Sequence, residues 1–207
     1  MVRSWPATVY PDLPLAMPFV VLFHSMLGLR SVELQAAQRL RSHGHEVVTP
    51  DLYEGRTATS HEEGFPLMRE IGWNVITQRA RRSVQPLPAD AVLAGLSMGV
   101  GVVGTLLPER RQTAGALMLH ALADIPDTAR PGLPLQVHVG ALDVEFAPPA
   151  AVATWRDSAS RRGAQAQVFT YPNAGHFYTD ASLPDHDEHA SELTWQRIAD
   201  FLRSLPH

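Results

Sequence analysis

The stretch "VLAGLSMGVGVVG", residues Val92 to Gly104, decides the fold. An apolar run leads into Ser97, and glycines stand two residues before and two residues after it, at Gly95 and Gly99. A G-x-S-x-G pattern between a predicted strand and a predicted helix is typical of a nucleophile elbow, because small neighbours let the backbone turn sharply and present the serine. The alternative is a glycine-rich turn that only packs a helix closely against a sheet.

The composition is that of an ordinary globular protein. The chain has 207 residues, of which 45% are hydrophobic and 18% charged, with a net charge of -4. This length predicts one domain, residues 1–207, and the weak negative charge gives no basic surface for nucleic acid. The first twenty residues contain several prolines and no uninterrupted apolar core, so we expect no signal peptide, no membrane partner and a cytoplasmic protein.

Two residue types are missing from the chain. There is no cysteine, which excludes disulfides, thiolate metal sites and thiol nucleophiles. All 17 basic residues are arginine, and the absence of lysine excludes Schiff-base chemistry and a Walker-type phosphate loop. We therefore predict no cofactor, and any nucleophile or base has to be Ser, Thr, Tyr, His, Asp or Glu.

Apolar runs alternate with helical patterns along the whole chain. Apolar runs predict buried strands at 19–24, 45–53, 90–97, 114–121 and 133–143, and 166–176 predicts a strand that runs into a loop. Helical spacing predicts helices at 31–43, 98–107, 148–163 and 189–205, and one or two helices within 61–84. This alternation predicts an α/β fold with a mostly parallel sheet and helices on both faces, in which ligands bind beyond the carboxyl ends of the strands.

Ser97 needs a base, and the base needs an acid that orients it. Behind a nucleophile elbow, the acid and the histidine follow the serine in that order along the chain. Asp143 ends the strand at 133–143, and His176 lies just beyond the last strand. Each alone is also compatible with a turn aspartate or an ordinary loop histidine, but all three together predict a catalytic triad.

The same edge of the sheet offers candidates for binding a substrate. Two backbone N–H groups are needed to stabilise an oxyanion, and those of Met98, directly after the serine, and Met26, after the first strand, are in the expected places. The candidates for the substrate pocket stand next to these positions and are His24, Ser25, Phe177 and Tyr178.

Ten histidines raise the question of a metal site, and the densest cluster is "PDHDEHA". It contains Asp185, His186, Asp187, Glu188 and His189. Acidic residues at the start of a helix favour the helix dipole, and a second pair of ligands is lacking elsewhere. We therefore predict no metal.

Several segments together resemble the dienelactone hydrolase family of α/β-hydrolases. They occur in the family's order and spacing from about Phe19 to Leu205, and read "VVLFHSMLGL", "VVTPDLY", "GLSMG", "HVGALD", "YPNAGHFY" and "ELTWQRIADFL". The resemblance implies an α/β-hydrolase fold, and the short connection from Ala121 to Pro134 predicts that it has no large lid. The resemblance also implies a triad of Ser97, His176 and Asp143, and an oxyanion hole from Met98 and Met26.

Three departures from the family pattern limit what is carried over. The best-known members have a cysteine nucleophile, a glutamate where this chain has Ser25, and an arginine shortly after the catalytic histidine, where this chain has Thr179 and Asp180. We therefore expect a serine hydrolase that acts on small-molecule esters or lactones, as a monomer or homodimer. A catalytically silent binding protein, and a peptidase or acyltransferase with the same triad, are the alternatives.

Overall fold

The computed structural model describes residues 17–206. The six strands are β1 (Val20–Phe23), β2 (Val47–Val48), β3 (Val92–Leu96), β4 (Ala116–Leu119), β5 (Pro134–Gly140) and β6 (Gln165–Tyr171). The six helices are α1 (Ser31–Ser42), α2 (His61–Ile71), α3 (Trp73–Val84), α4 (Met98–Leu106), α5 (Pro149–Arg161) and α6 (Glu188–Ser204). Most of the N-terminal residues behind the cytoplasmic prediction lie outside the described range. Within it, no helix is long and apolar enough to cross a membrane.

The strands form one parallel sheet in the order β2-β1-β3-β4-β5-β6. In its centre β1 and β3 run side by side, with Val20 opposite Val92 and Phe23 opposite Gly95. The order reverses direction at β1, so the edge beyond β1 and β3 is where such a sheet binds ligands. The predicted mostly parallel α/β architecture is confirmed.

Alternate residues of the central strands face opposite sides of the sheet, as the pleat requires. Val20 and Leu22 of β1 pack in a cluster with residues of α1 and α6. Val21 and Phe23 pack on the other face, in a cluster with residues from α2, α3, α4 and α5. Helices therefore cover both faces, which explains why the central strands read as continuous apolar runs.

The uncertain segment 61–84 forms two helices rather than one. Ser60 caps the first by accepting a hydrogen bond from the Glu63 N–H at 3.4 Å. The break falls at Gly72, whose φ of 85° lies in the left-handed region that favours glycine. Gly72 therefore ends α2 and stands directly before α3.

The elbow between β3 and α4 is held by direct backbone contact. Ser97 has a φ of 50°, a left-handed conformation that is rare outside glycine. A Cβ atom on Gly95 would lie 2.3 Å from the Gly99 carbonyl carbon, and one on Gly99 would lie 2.4 Å from the Phe23 oxygen. Neither glycine can therefore carry a side chain without moving the backbone.

A buried polar chain lies on the α6 side of β5 and β6. His138 Nε2–H donates to Gln136 Oε1, and the Tyr171 hydroxyl donates to His138 Nδ1, both at 2.9 Å. The Arg197 guanidinium lies 4.2 Å above the Phe169 ring beside this chain. Burial, and next the positive charge of Arg197, lower the pKa of His138 to about 3.

Gly99→Ala should unfold the elbow, because its new methyl group meets main-chain atoms that cannot rotate away. We expect the free energy of unfolding to fall by about 3 kcal/mol or more in urea denaturation. The matched control is Gly101→Ala on the same helix, whose Cβ would meet only the Trp73 ring tip at 3.0 Å. A loss in Gly101→Ala as large as in Gly99→Ala would contradict the argument.

Acid should destabilise the protein partly through His138. The unfolded chain takes up this proton near pH 6.5 and the folded chain only near pH 3, so stability is lost as pH falls between these values. His138 accounts for up to ~1.4 kcal/mol per pH unit in that window. Urea unfolding of His138→Gln between pH 6 and pH 4 should show a shallower loss than the wild type. His43→Gln, at an exposed histidine, should keep the wild-type slope; equal slopes in all three proteins would refute the assignment.

Candidate active site

The three residues predicted as a triad form a continuous hydrogen-bonded chain at the carboxyl edge of the sheet. Ser97 Oγ lies 2.8 Å from His176 Nε2, and His176 Nδ1 lies 2.6 Å from Asp143 Oδ2. The carboxylate accepts a hydrogen bond from Nδ1–H, so Nε2 is free to accept the hydrogen bond of the serine hydroxyl. Ser97 is 9% exposed, His176 5% and Asp143 4%, so the chain is largely shielded from water.

The acid of this chain is held in its ionised form. Burial tends to raise the pKa of Asp143, but the hydrogen bonds from His176 and from the Phe146 N–H outweigh burial and lower it overall. The Phe146 N–H donates to Asp143 Oδ1 at 3.0 Å, which leaves Oδ2 for the histidine. A charged carboxylate in this position can stabilise a protonated imidazole ring at His176.

The loop that carries His176 is held in place by the Asp185 carboxylate. The Asp185 carboxylate accepts hydrogen bonds from the backbone N–H groups of His176 at 3.0 Å and Phe177 at 3.3 Å. Asp187 caps α6 by accepting from the Ala190 N–H at 2.8 Å. Asp185 and Asp187, two acids of the PDHDEHA cluster, thus accept hydrogen bonds from backbone N–H groups. Across residues 17–206, no three His, Asp or Glu side chains are grouped so that they would hold a metal ion.

The backbone around the predicted oxyanion donors is well defined. Met98 is the first residue of α4, so its N–H has no acceptor within the helix. A Cβ on Gly99 would lie 2.9 Å from the His24 oxygen, so the loop that begins at Ser25 lies against the elbow. The turn of this loop is closed by a hydrogen bond from the Gly28 N–H to the Ser25 oxygen at 3.2 Å, and it carries Met26.

Three of the four predicted pocket residues point into the protein. His24 donates from Nδ1 to the Ser25 oxygen at 2.7 Å and accepts at Nε2 from the Leu52 N–H at 3.0 Å, and burial lowers the pKa of this histidine. The Ser25 hydroxyl donates to Glu33, and the Tyr178 hydroxyl lies 2.8 Å from the Thr194 hydroxyl. Hydrogen bonding inside the core decides their orientation. Phe177 is buried but packs on His176, with 4.5 Å between ring centroids.

Three residues beside the triad are not among the four predicted pocket residues. The Phe146 ring lies 4.3 Å from the His176 ring and stacks on Phe65 at 6.1 Å between centroids. The His61 ring lies 5.8 Å from the His176 ring. Phe146 stands three residues after Asp143, and this proximity was an available signal. His61 and Phe65 come from α2, and nothing in the sequence shows that α2 lies beside the site.

A cavity of about 530 Å³ adjoins the Asp143–His176 pair. Its lining includes no arginine, and its charged or titratable side chains are Asp143, Glu145, Asp185, Asp187, His61, His176 and His186. The electrostatic environment on this side of the site is therefore unfavourable for an anion.

Comparison of the structure with solved structures gives many similar folds. A dienelactone hydrolase-like promiscuous phosphotriesterase from metagenomic libraries has a TM-score of 0.75 at 19% identity, covering 91% of this chain and 86% of that one. A putative dienelactone hydrolase from Klebsiella pneumoniae subsp. pneumoniae gives 0.70 at 17% identity over 93% and 89%. A putative α/β-superfamily hydrolase from Xanthomonas campestris pv. campestris gives 0.62 at 17% identity over 92% and 100%.

These structural neighbours share the α/β-hydrolase fold, as predicted from the resemblance. A comparison with curated protein sequences found no match. The sequence model of the dienelactone hydrolase family, in contrast, matches residues 7–205, almost the whole chain. With its sheet, its nucleophile elbow and this match, the chain belongs to the dienelactone hydrolase family and is a hydrolase.

Proposed function

We propose that the protein is a serine hydrolase that cleaves ester or lactone bonds of small molecules through an acyl-enzyme on Ser97. The observation that carries this proposal is the hydrogen-bonded chain from Ser97 through His176 to Asp143. A serine without such a chain is a weak nucleophile, whereas one whose proton can pass to an oriented imidazole attacks carbonyl carbons.

The reaction follows from the placement of these groups. Ser97 Oγ attacks the carbonyl carbon while its proton passes to His176 Nε2, and the negative charge that develops on the carbonyl oxygen is met by the N–H groups of Met98 and Met26. The intermediate then expels the alcohol, which takes the proton from His176. Water gives a proton to the same histidine and attacks the acyl-enzyme; Ser97 then leaves with the proton that His176 returns, and the acid is released.

The surroundings of the triad favour a small substrate with an apolar group. The Phe146 and Phe65 rings form an aromatic wall next to His176, and together with His61 they limit the space beside the reacting carbonyl. A lactone yields the same acyl-enzyme as an ester, with the leaving alcohol still attached to the acyl group. The sizes of the ring and of the alcohol are therefore both restricted by this wall.

Ser97 should be the residue that reacts with an organophosphonate probe. We expect one label per chain on the peptide that contains Ser97, and Ser97→Ala should lower kcat about a millionfold with the fold intact. Mass spectrometry of the labelled protein and ester hydrolysis assays measure these effects. Ser42→Ala, at an exposed serine of α1, is the control and should label normally. A folded wild-type protein that takes up no label would favour the silent binding protein instead.

The enzyme should prefer neutral substrates over substrates that carry a carboxylate. The adjoining cavity is lined by acids without an arginine, and Arg79 and Arg81 on α3 are engaged with Glu54 and Glu109. For a matched pair of esters with and without a free carboxylate, we expect kcat/KM to favour the neutral one at least tenfold, about 1.4 kcal/mol.

The size of that preference should depend on charge screening. Raising the ionic strength should reduce the preference, and Glu145→Gln, at an exposed acid of the cavity lining, should reduce it severalfold at low salt. A higher kcat/KM for the anionic ester would show that an arginine reaches the substrate and would reject this assignment of substrate charge.

A further inference from the structure

A buried carboxylate lies behind the loop that carries Met26. The Ser25 hydroxyl donates to Glu33 Oε1 at 3.1 Å and accepts a hydrogen bond from the Leu27 N–H at 3.2 Å. Glu33 stands in the first turn of α1 but is only 1% exposed, although an acid at that place in a helix is usually solvated. Of the two residues beside Met26, Ser25 therefore contacts the carboxylate directly, and Leu27 is connected to it through the Ser25 hydroxyl.

Arg30 connects this carboxylate with the loop of the catalytic histidine. The backbone N–H of Arg30 donates to Glu33 Oε2 at 3.0 Å. Its side-chain Nη2 donates to Glu33 Oε1 at 3.2 Å and to Asp180 Oδ2 at 2.6 Å. Asp180 is buried, and its own N–H donates to the Phe177 oxygen at 2.8 Å, next to His176. A single guanidinium therefore links the two loops that flank Ser97.

Arg30 keeps its positive charge in the folded protein. Burial lowers the pKa of Arg30, but the carboxylates of Glu33 and Asp180 outweigh this effect and raise it overall. Buried ion pairs of this kind are often no more stabilising than apolar side chains of the same size, because desolvation offsets their attraction. Fixing the position of the two loops is a role that an apolar replacement would not fill.

We propose that Ser25, Glu33 and Arg30 are positioning residues that hold the Met26 N–H at the oxyanion and keep it aligned with His176. This inference rests on the proposed serine hydrolase function. Donors to an oxyanion act only when they are held within about 0.5 Å of the productive geometry, and loss of one donor costs 10²- to 10³-fold in kcat. Loosening the loop should therefore lower kcat by about tenfold while KM changes little.

The test compares an ester with the matching thionoester, in which sulfur replaces the carbonyl oxygen. Sulfur is a weak hydrogen-bond acceptor, so the thionoester depends less on the oxyanion donors but equally on the triad. In Ser25→Ala, Glu33→Gln and Arg30→Lys, we expect kcat for the ester to fall about tenfold and kcat for the thionoester to fall less than about threefold. Lys keeps the charge of Arg30 but cannot donate to both carboxylates in a fixed geometry.

The matched control is Arg39→Lys, which makes the same substitution at an arginine in the last turn of α1. Arg39 pairs with Glu192 of α6. This substitution should leave both rates unchanged. Ser25→Ala removes one hydroxyl only, so it keeps the test valid if the charged variants unfold. Equal losses for the ester and the thionoester, or no loss in any folded variant, would overturn the inference. Failure of the wild type to react with a phosphonate would instead reject the serine hydrolase function itself.

Discussion

The contact between the backbone of Gly99 and the carbonyl of Phe23 is the constraint on which the site depends. It brings the start of α4 against the end of β1, so that no side chain fits between them. Ser97 then has to adopt a left-handed conformation that presents its hydroxyl at the edge of the sheet. The same contact brings the loop after β1, with Met26, to the serine. The predicted nucleophile and the predicted oxyanion donors are thus brought together by one packing requirement.

Several acidic side chains at this edge of the sheet accept hydrogen bonds from backbone N–H groups. Asp143 accepts from Phe146, Asp185 accepts from His176 and Phe177, and Glu33 accepts from Arg30. Loops at the ends of parallel strands leave many N–H groups without partners, and buried carboxylates satisfy several at once. The abundance of acids therefore results from the need to fix loops, and it also gives the site its negative potential.

Residues that belong to a local sequence pattern can be predicted as site residues from the sequence. Residues whose place near the site depends on the direction of a helix cannot. Ser97 was predicted because glycines stand two residues before and two residues after it, and Asp143 and His176 were predicted because they end or follow apolar runs in a known order. His61 and Phe65 of α2 lie beside His176 and Phe146, but a helical pattern does not show in which direction a helix runs. Glu33 is buried in the structure, but no pattern in the sequence distinguishes it from an exposed acid in the first turn of a helix.

The two predicted oxyanion donors are both methionines, and this has a chemical consequence for a chain without cysteine. Both side chains are buried, and the Tyr53 hydroxyl donates to Met98 Sδ at 3.2 Å. The oxidisable sulfur atoms nearest the nucleophile are therefore thioethers. Peroxide would convert them to sulfoxides, whose added oxygen has no room in these contacts. Oxidative damage at this site would be repaired by methionine sulfoxide reductases, whereas thiol reductants, which rescue a cysteine nucleophile, would have no effect.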